Sequence, residues 1–283
     1  MMYGYGNSMF LFNNGVIAQG SAFDTDAQAF ITNASITDTT QKNAINSLVL
    51  DLKSYGLWTK MNAIYPYVGG TASQHRFNLK SPGTSASDFY IAFFGGGTHT
   101  SNGYVMNGVD SYANTSFNPS LISGWKDDHH MSIYIKTETP IGDGWHLGYG
   151  NSTTGDPLYG LAIRRETSNL CIYDSGNYSQ NGRLPISITD ARGFWSGAAL
   201  ATNDRRTYKN GTAIITNFSF PVSGTTPNDV MTIGALNGTS GSPKYYLSGI
   251  NSFTSFGSGL TSTEQSNLNT IVTSFQTTLG RQN

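Results

Sequence analysis

Arg206-Thr207-Tyr208-Lys209-Asn210-Gly211-Thr212-Ala213-Ile214-Ile215 is the stretch whose reading decides the fold. Two strand-like runs flank Asn-Gly, the dipeptide that tolerates positive φ at both central positions of a type I′ hairpin turn. The same punctuation recurs at Asp143-Gly144, Asn181-Gly182 and Asn237-Gly238. Between turn signals lie short strand-like runs at residues 76–79, 88–94, 130–136, 145–149, 158–164, 169–173, 194–202, 231–233 and 245–254. Strands this short and this frequent predict a mainly β chain, folded as a two-sheet antiparallel jelly-roll sandwich.

Helical periodicity appears only at the two ends. Residues 24–31 read as a short helix with acidic residues in its first turn, where the dipole favours them. Asp38 or Thr37 caps a second helix, in which Ala44, Ile45, Leu48, Val49 and Leu52 recur at helical spacing and Gly56 marks the stop. One apolar face implies that this segment docks on something apolar. Near the other end, Thr261 with Glu264 forms a capping box ahead of the stripe Leu268, Ile271, Val272, Phe275 and Leu279. The organisation expected is an arm at 1–22, a helical segment at 23–57 packed on the sandwich, and a jelly roll at 58–283 ending in a helix at 261–279.

Composition narrows the function. The chain has 283 residues, of which 33 are Gly, 32 Ser, 32 Thr and 25 Asn, while charged residues are 12%. A net charge of −1 with no Lys/Arg cluster leaves no electrostatic footprint for nucleic acid or anionic lipid. No apolar run approaches the length of a membrane span. The first residues lack a basic region, and their apolar run is too short for a signal peptide, so export by the usual route is not expected unless a leader was removed. The single Cys171 excludes a disulfide framework and reads as a small buried hydrophobe.

Residues 194–268 carry an ordered set of motifs: Phe194-Trp195-Ser196-Gly197, Tyr208-Lys209-Asn210-Gly211, Ile233-Gly234, Ser248-Gly249-Ile250 and Gly259-Leu260-Thr261-Ser262-Thr263-Glu264. This order resembles the closing half of the concanavalin A-like lectin/glucanase jelly roll in its laminin G-like form. Gly56-Leu57-Trp58-Thr59-Lys60-Met61, Ile64-Tyr65-Pro66-Tyr67-Val68-Gly69-Gly70 and Phe275-Gln276-Thr277-Thr278-Leu279-Gly280-Arg281 extend the likeness. Together they resemble a family of bacteriophage virion proteins that carry such a jelly roll. The resemblance implies a particle component located in the virion. The alternative locations are extracellular or the bacterial cell surface.

The chemistry of the superfold's enzymes is not written in the chain. They use Glu-x-Asp-x-x-Glu on one strand, where alternation places the first two carboxylates on one face. This chain has three Glu, Glu138, Glu166 and Glu264, and none has Asp two residues later. There is no Gly-x-Ser-x-Gly elbow. Asp127-Asp128-His129-His130 is the one acidic/His cluster; strand alternation lets at most two of its members converge, and a solvated strand start is the plainer reading. Asp143, Asp156, Asp174 and Asp229 are calcium ligands by residue type alone, in no dense acidic loop. No catalytic residue, metal site or cofactor is therefore expected, with calcium left open, and the protein is not expected to be an enzyme.

A glycan needs an aromatic platform and polar side chains for its hydroxyls. Trp125, beside Gly124, and the pair Trp145 and Tyr149 are the ligand-binding candidates. Alternation places Trp145, Leu147 and Tyr149 on one face, a pattern that equally describes a core face. The expected role is a non-enzymatic virion structural or attachment protein, homo-oligomeric on the particle, displaying a lectin-like domain that meets host-surface glycans. A free bacterial carbohydrate-binding lectin is the alternative, and a polysaccharide-cleaving enzyme the remotest.

The arm is read as the anchor to other virion proteins. It carries Tyr3, Tyr5, Phe10 and Phe12 without strand alternation, and each apolar side chain gains roughly 1.5–3 kcal/mol when buried. Deleting residues 1–22 is expected to leave the melting temperature of the domain unchanged and to abolish incorporation into the particle. Assembly of the truncated protein, or collapse of its melting transition, would contradict the anchor.

Overall fold

The computed structural model describes residues 22–150, 158–165, 170–175, 186–215, 226, 228–238 and 242–283. The expected arm, with Tyr3, Tyr5, Phe10 and Phe12, lies outside the described residues, apart from Ala22. The elements run α1 (Thr25–Asn33), α2 (Thr39–Ser54), β1 (Met61–Tyr65), α3 (Ala72–His75), β2 (Ala92–Phe94), β3 (Thr98–Thr100), β4 (Gly103–Asn107) and β5 (Tyr112–Asn114). They continue with β6 (His129–Ile135), β7 (Leu147–Gly150), β8 (Leu158–Arg165), β9 (Leu170–Ser175), β10 (Ile186–Ser187) and β11 (Gly193–Ala201). The last are β12 (Asp204–Lys209), β13 (Thr212–Ile215), β14 (Thr232–Ile233), β15 (Ser248–Gly257) and α4 (Ser262–Thr278).

The strands form two antiparallel sheets. Among the described residues the first runs β13-β12-β11-β6-β15-β4-β3, with β1 also paired to β15, and the second runs β10-β9-β8-β7-β14-β5-β2. The mainly β, two-sheet sandwich expected from the sequence is what is found. The Asn210-Gly211 hairpin forms as read: Lys209 faces Thr212, and both turn residues take positive φ, 49° and 74°.

Alternation within each strand builds the core between the sheets. Met131, Ile133 and Ile135 of β6, Trp195 of β11 and Phe256 of β15 meet Ala113, Leu147, Tyr149, Leu161, Tyr173 and Ile233 from the second sheet. A second core covers the opposite face of the first sheet. There α1, α2 and α4 contribute Phe30, Ile45, Leu48, Leu52, Leu268, Ile271 and Phe275 against Tyr134, Phe194 and Phe253. Both long helices are capped as read: the Asp38 side chain accepts from Gln41 N, and Thr261 and Glu264 close a reciprocal box.

Several local expectations fail: the expected strand 88–94 begins only at Ala92, after a turn of helix at Ala86–Asp88 and a left-handed Phe89, and the strand 245–254 begins only at Ser248. Residues 76–79 are not a strand. The short helix α3 precedes them, and the buried Asn78 side chain accepts from Ile64 N and donates to Asp88 O, taking the place of a ladder partner. The expected strand 145–149 starts only at Leu147, so the alternation argument does not reach Trp145.

Leu48→Ala tests the helix-covered core. The residue is fully buried, and its truncation is expected to cost about 2–5 kcal/mol. The readout is a lower denaturant midpoint at unchanged slope; an unchanged midpoint would show that the apolar face of α2 is not part of the core.

Candidate functional site

The helices occupy the outer face of the first sheet, so the outer face of the second is where the sandwich meets solvent. Its centre is filled by the protein itself. Gly148 and Gly160 face each other across β7 and β8, and Trp145 and Leu236 lie over them. A Cβ on Gly160 would sit 2.6 Å from the Trp145 ring. With Leu158 and Ala162 these side chains form a small separate core.

The β2–β5 edge of this face stays open. Phe94 and Tyr112 are cross-strand partners, and since Phe93 and Ala113 point into the sandwich, Phe94 and Tyr112 point out. Their rings stack at 4.9 Å with 12° between planes, and Tyr246 continues the row 6.3 Å beyond Tyr112. Phe94 remains 45% exposed, so the ring face turned away from Tyr112 is free. Next in sequence, Tyr245 is 37% exposed, and the Arg165 guanidinium lies between its ring, at 5.3 Å, and that of Trp145, at 4.9 Å. The result is a row of three aromatic rings, Phe94, Tyr112 and Tyr246, with the exposed Tyr245 ring on the Arg165 guanidinium beside it.

Backbone bonds hold the ridge in place. Trp145 N donates to Tyr245 O at 3.0 Å, and Lys244 and Leu236 exchange both backbone hydrogen bonds at 2.9 Å. At the other end Gly95, with φ +72°, lies so near the Asp110 backbone that a Cβ would come within 2.2 Å of its carbonyl oxygen. That close approach requires glycine beside Phe94. Asp110 Oδ1 accepts from Gly96 N and Asn107 Nδ2, and these bonds, Asn107 first, hold its carboxyl below the usual range. The ridge therefore has an ionised acceptor at its rim. Burial, with Tyr246 adding to it, pushes the Tyr112 hydroxyl up, so it stays a neutral donor.

The sequence-predicted ligand residues are elsewhere. Trp125 is 1% exposed, stacked on His129 and set edge-on to Phe117. Trp145 is 0% exposed and Tyr149 6%. Leu147 and Tyr149 face the main core, whereas Trp145 covers the opposite face of the sheet. None of the three offers a ring to solvent. Composition marks aromatic residues, but burial is decided by tertiary packing: strand parity turns Tyr149 into the core, while Trp125 and Trp145 are carried onto it by the loops that precede β6 and β7. The ridge residues carried a weak signal, an aromatic at the end of a strand run beside Gly-Gly-Gly or beside a turn.

The Asp127–His130 cluster is taken apart by the fold. Asp127 pairs with Arg205, and Asp128 Oδ1 accepts from Gly259 N at 2.6 Å. His129 Nδ1–H donates to Trp125 O while Nε2 faces the Tyr173 hydroxyl at 2.8 Å. His130 Nδ1–H donates to Ser258 O, which leaves Nε2 to accept from the Ser255 hydroxyl at 3.1 Å; Ser132 lies 2.6 Å from Ser255. This Ser–His chain is fully buried on the helix-covered face of the first sheet. Glu138 is held by Arg164 and Ala191 N, and Glu264 by Lys60 and its cap. Glu166, Asp156 and the Asp174 side chain lie outside the described residues. Among the described residues no group of three or more His, Cys, Asp or Glu is placed to hold a metal ion, and no helix is long and apolar enough to cross a membrane.

No family model matches this chain, and no curated protein matches it. Solved structures do. Domain 4 of AbnA, a GH43 extracellular arabinanase from Geobacillus stearothermophilus solved in complex with arabinotriose, matches at 15% identity and a TM-score of 0.52, over 74% of this chain and 98% of that one. A Trypanosoma rangeli sialidase in complex with 2,3-difluoro-KDN matches at 14% identity and a TM-score of 0.49, over 81% of this chain but 39% of that one. The CBM40 of the Ruminococcus gnavus IT-sialidase matches at 16% identity and a TM-score of 0.39, over 50% and 83%. The arabinanase domain establishes the fold that the two share.

All five histidines are neutral in the fold. Burial, the first cause in each case, pushes His75, His129 and His146 down to about 3 and His99 and His130 to about 4. Unfolded histidines titrate near 6.5. Below that pH the unfolded chain binds protons the native chain refuses, so this stability is complete above about pH 6.5 and is lost as pH falls toward 4. Each of the four fully buried histidines, His75, His129, His130 and His146, contributes up to about 1.4 kcal/mol per pH unit, and the half-buried His99 less. The melting temperature is expected to drop steadily from pH 7 to 5, before carboxylates titrate; a flat profile would show that these rings accept protons in place.

Proposed function

We propose that this chain is a non-catalytic carbohydrate-binding domain that receives a glycan along the Phe94–Tyr112–Tyr246 row, with Tyr245 beside it. The observation that carries the reading is the open row of aromatic rings on the one sheet face the helices leave free. Sugar rings present C–H faces to such a row, while Asp110 at its rim and the Tyr112 hydroxyl supply an acceptor and a donor for hydroxyl groups. Successive rings spaced 4.9 and 6.3 Å apart favour an extended chain over a single terminal sugar. The arabinanase domain, of the same fold and solved with arabinotriose, supports a glycan as the ligand class.

This is the free-lectin alternative of the sequence reading. The virion and attachment role rests on the sequence resemblance alone, with no matching family model or curated protein behind it. The expectation that no catalysis accompanies binding rests on the missing carboxylate pair in the sequence and on the burial of the Ser–His chain.

Affinity electrophoresis against a panel of soluble polysaccharides, arabinan among them, tests the proposal. The wild type is expected to be retarded by at least one of them. Phe94→Ala and Tyr245→Ala should each weaken retention about tenfold, equivalent to roughly 1.4 kcal/mol. Tyr55→Ala, an exposed aromatic on the helical side, should leave it unchanged. Absence of retardation, or equal retardation of all three variants, would refute the ridge as a glycan site.

A further inference from the structure

The Phe94 end of the aromatic row carries a fixed charge. Asp110 precedes Tyr112 by two residues, so alternation brings its side chain to the same face, while Ser111 between them is buried. The carboxyl group lies against the chain next to Phe94: a Cβ on Gly95 would come within 2.9 Å of its carbon. Oδ1 accepts from Gly96 N at 2.9 Å and from Asn107 Nδ2 at 2.7 Å. Asn107 is fixed in turn, because its Oδ1 accepts from the backbone N–H groups of Val109, Asp110 and Ser111. The carboxylate is therefore held in one orientation before a ligand arrives.

These bonds occupy Oδ1 and leave Oδ2. No hydrogen bond reaches Oδ2, no Lys, Arg or His nitrogen among the described residues lies within 4.0 Å of the group, and the residue is exposed. A carboxylate oxygen has two lone-pair sites, enough for two neighbouring hydroxyl groups of one sugar, and the second N–H of Asn107 Nδ2 adds a donor beside it. The cations of the row lie at its other end. There the Arg165 side chain, 12% exposed between Tyr245 and Trp145, has Asp143 Oδ1 at 4.0 Å, and Lys244 adjoins Tyr245 in sequence. The field at Phe94 is that of Asp110.

We infer that Asp110 sets the ligand class of the row: the residue seated at Phe94 is an uncharged sugar with free neighbouring hydroxyl groups, and a sugar bearing a carboxylate or sulfate is refused there. This rests on the glycan reading of the row and adds its selectivity. A hydroxyl group gives Oδ2 a charge-assisted hydrogen bond, stronger than one between neutral groups. An anionic substituent about 4 Å away meets a repulsion that weakens binding about fivefold even at the dielectric constant of water.

Isothermal titration of the full chain tests the inference, with arabinan and every other polysaccharide that retards the wild type. Each polymer is compared with its hydroxyethyl and carboxymethyl derivatives at equal, light substitution. In low salt the hydroxyethyl form should bind nearly as the parent does, and the carboxymethyl form about fivefold more weakly or worse. Added salt should narrow that gap. Asp110→Asn, which keeps an oxygen for Gly96 and Asn107, should bind the two derivatives alike and the parent polymer more weakly. Asp38→Asn removes the same charge on the helical side, where Asn still caps α2, and should keep the wild-type ratio. Equal or tighter binding of the carboxymethyl form by the wild type would overturn the inference and leave the glycan reading standing. An Asp110→Asn ratio equal to that of the wild type would do the same. Binding of no polysaccharide at all would remove the glycan reading, and this inference with it.

Discussion

Strand β15 is the constraint on which the rest of the structure depends. It pairs with β6, β4 and β1 at once and is buried over most of its length, between the inter-sheet core and the helices. Phe256 belongs to the first core and Phe253 to the second, with an irregularity in register between Asn251 and Phe253. A strand covered on both faces cannot send its polar atoms to water, so they must be satisfied inside. That requirement explains the Ser132–Ser255–His130 chain, the Asn251–Thr254 bond at 2.7 Å and the Gln276 side chain donating to Ser252 O. Residues that look like a hydrolytic pair are the internal wiring of a doubly buried sheet.

The same constraint divides the molecule's surface. Once the helices cover one sheet, the outer face of the other is the broad surface left for a ligand. Much of that face is closed by Trp145 and Leu236 over the glycine row Gly148 and Gly160, where missing side chains make room for large ones from the loops. What stays open is the β2–β5 edge and the loop carrying Tyr245 and Tyr246. The open aromatic row is thus a consequence of how the covering is distributed. On the helical side the closing turn of α4 carries Arg281 inward onto the Pro66 and Tyr67 carbonyls.

Neutral buried histidines tie these features to pH. His75 accepts from Gly70 N at 3.2 Å and therefore donates through Nδ1 to His99 Nδ1 at 2.9 Å, within a ring of Tyr67, Phe93 and Tyr104. His146 accepts from Ile163 N and donates to the Thr139 hydroxyl. In each case the hydrogen bonds assign one neutral tautomer, and a second proton has no acceptor waiting for it. Packing that excludes water has made the histidines structural.

The sequence by itself determined the elements whose signals are local. The Asn210-Gly211 turn, the Asp38 and Thr261 caps, the Leu48 and Leu268 stripes and the frequency of turns were enough for a sandwich with helices at both ends, because turn chemistry, capping and periodicity act within a few residues. Only the tertiary structure decided which aromatics are inside. Trp125, Trp145 and Tyr149 carry the composition of a sugar platform and are buried, while Phe94 lies beside the inward-facing Phe93 and differs from it by one step of alternation. That step is set by the register of β2 on β5, a contact between distant residues that no local pattern encodes. The pairing of Arg281 with Pro66 and Tyr67 spans more than two hundred residues, and only the closed fold brings those groups together.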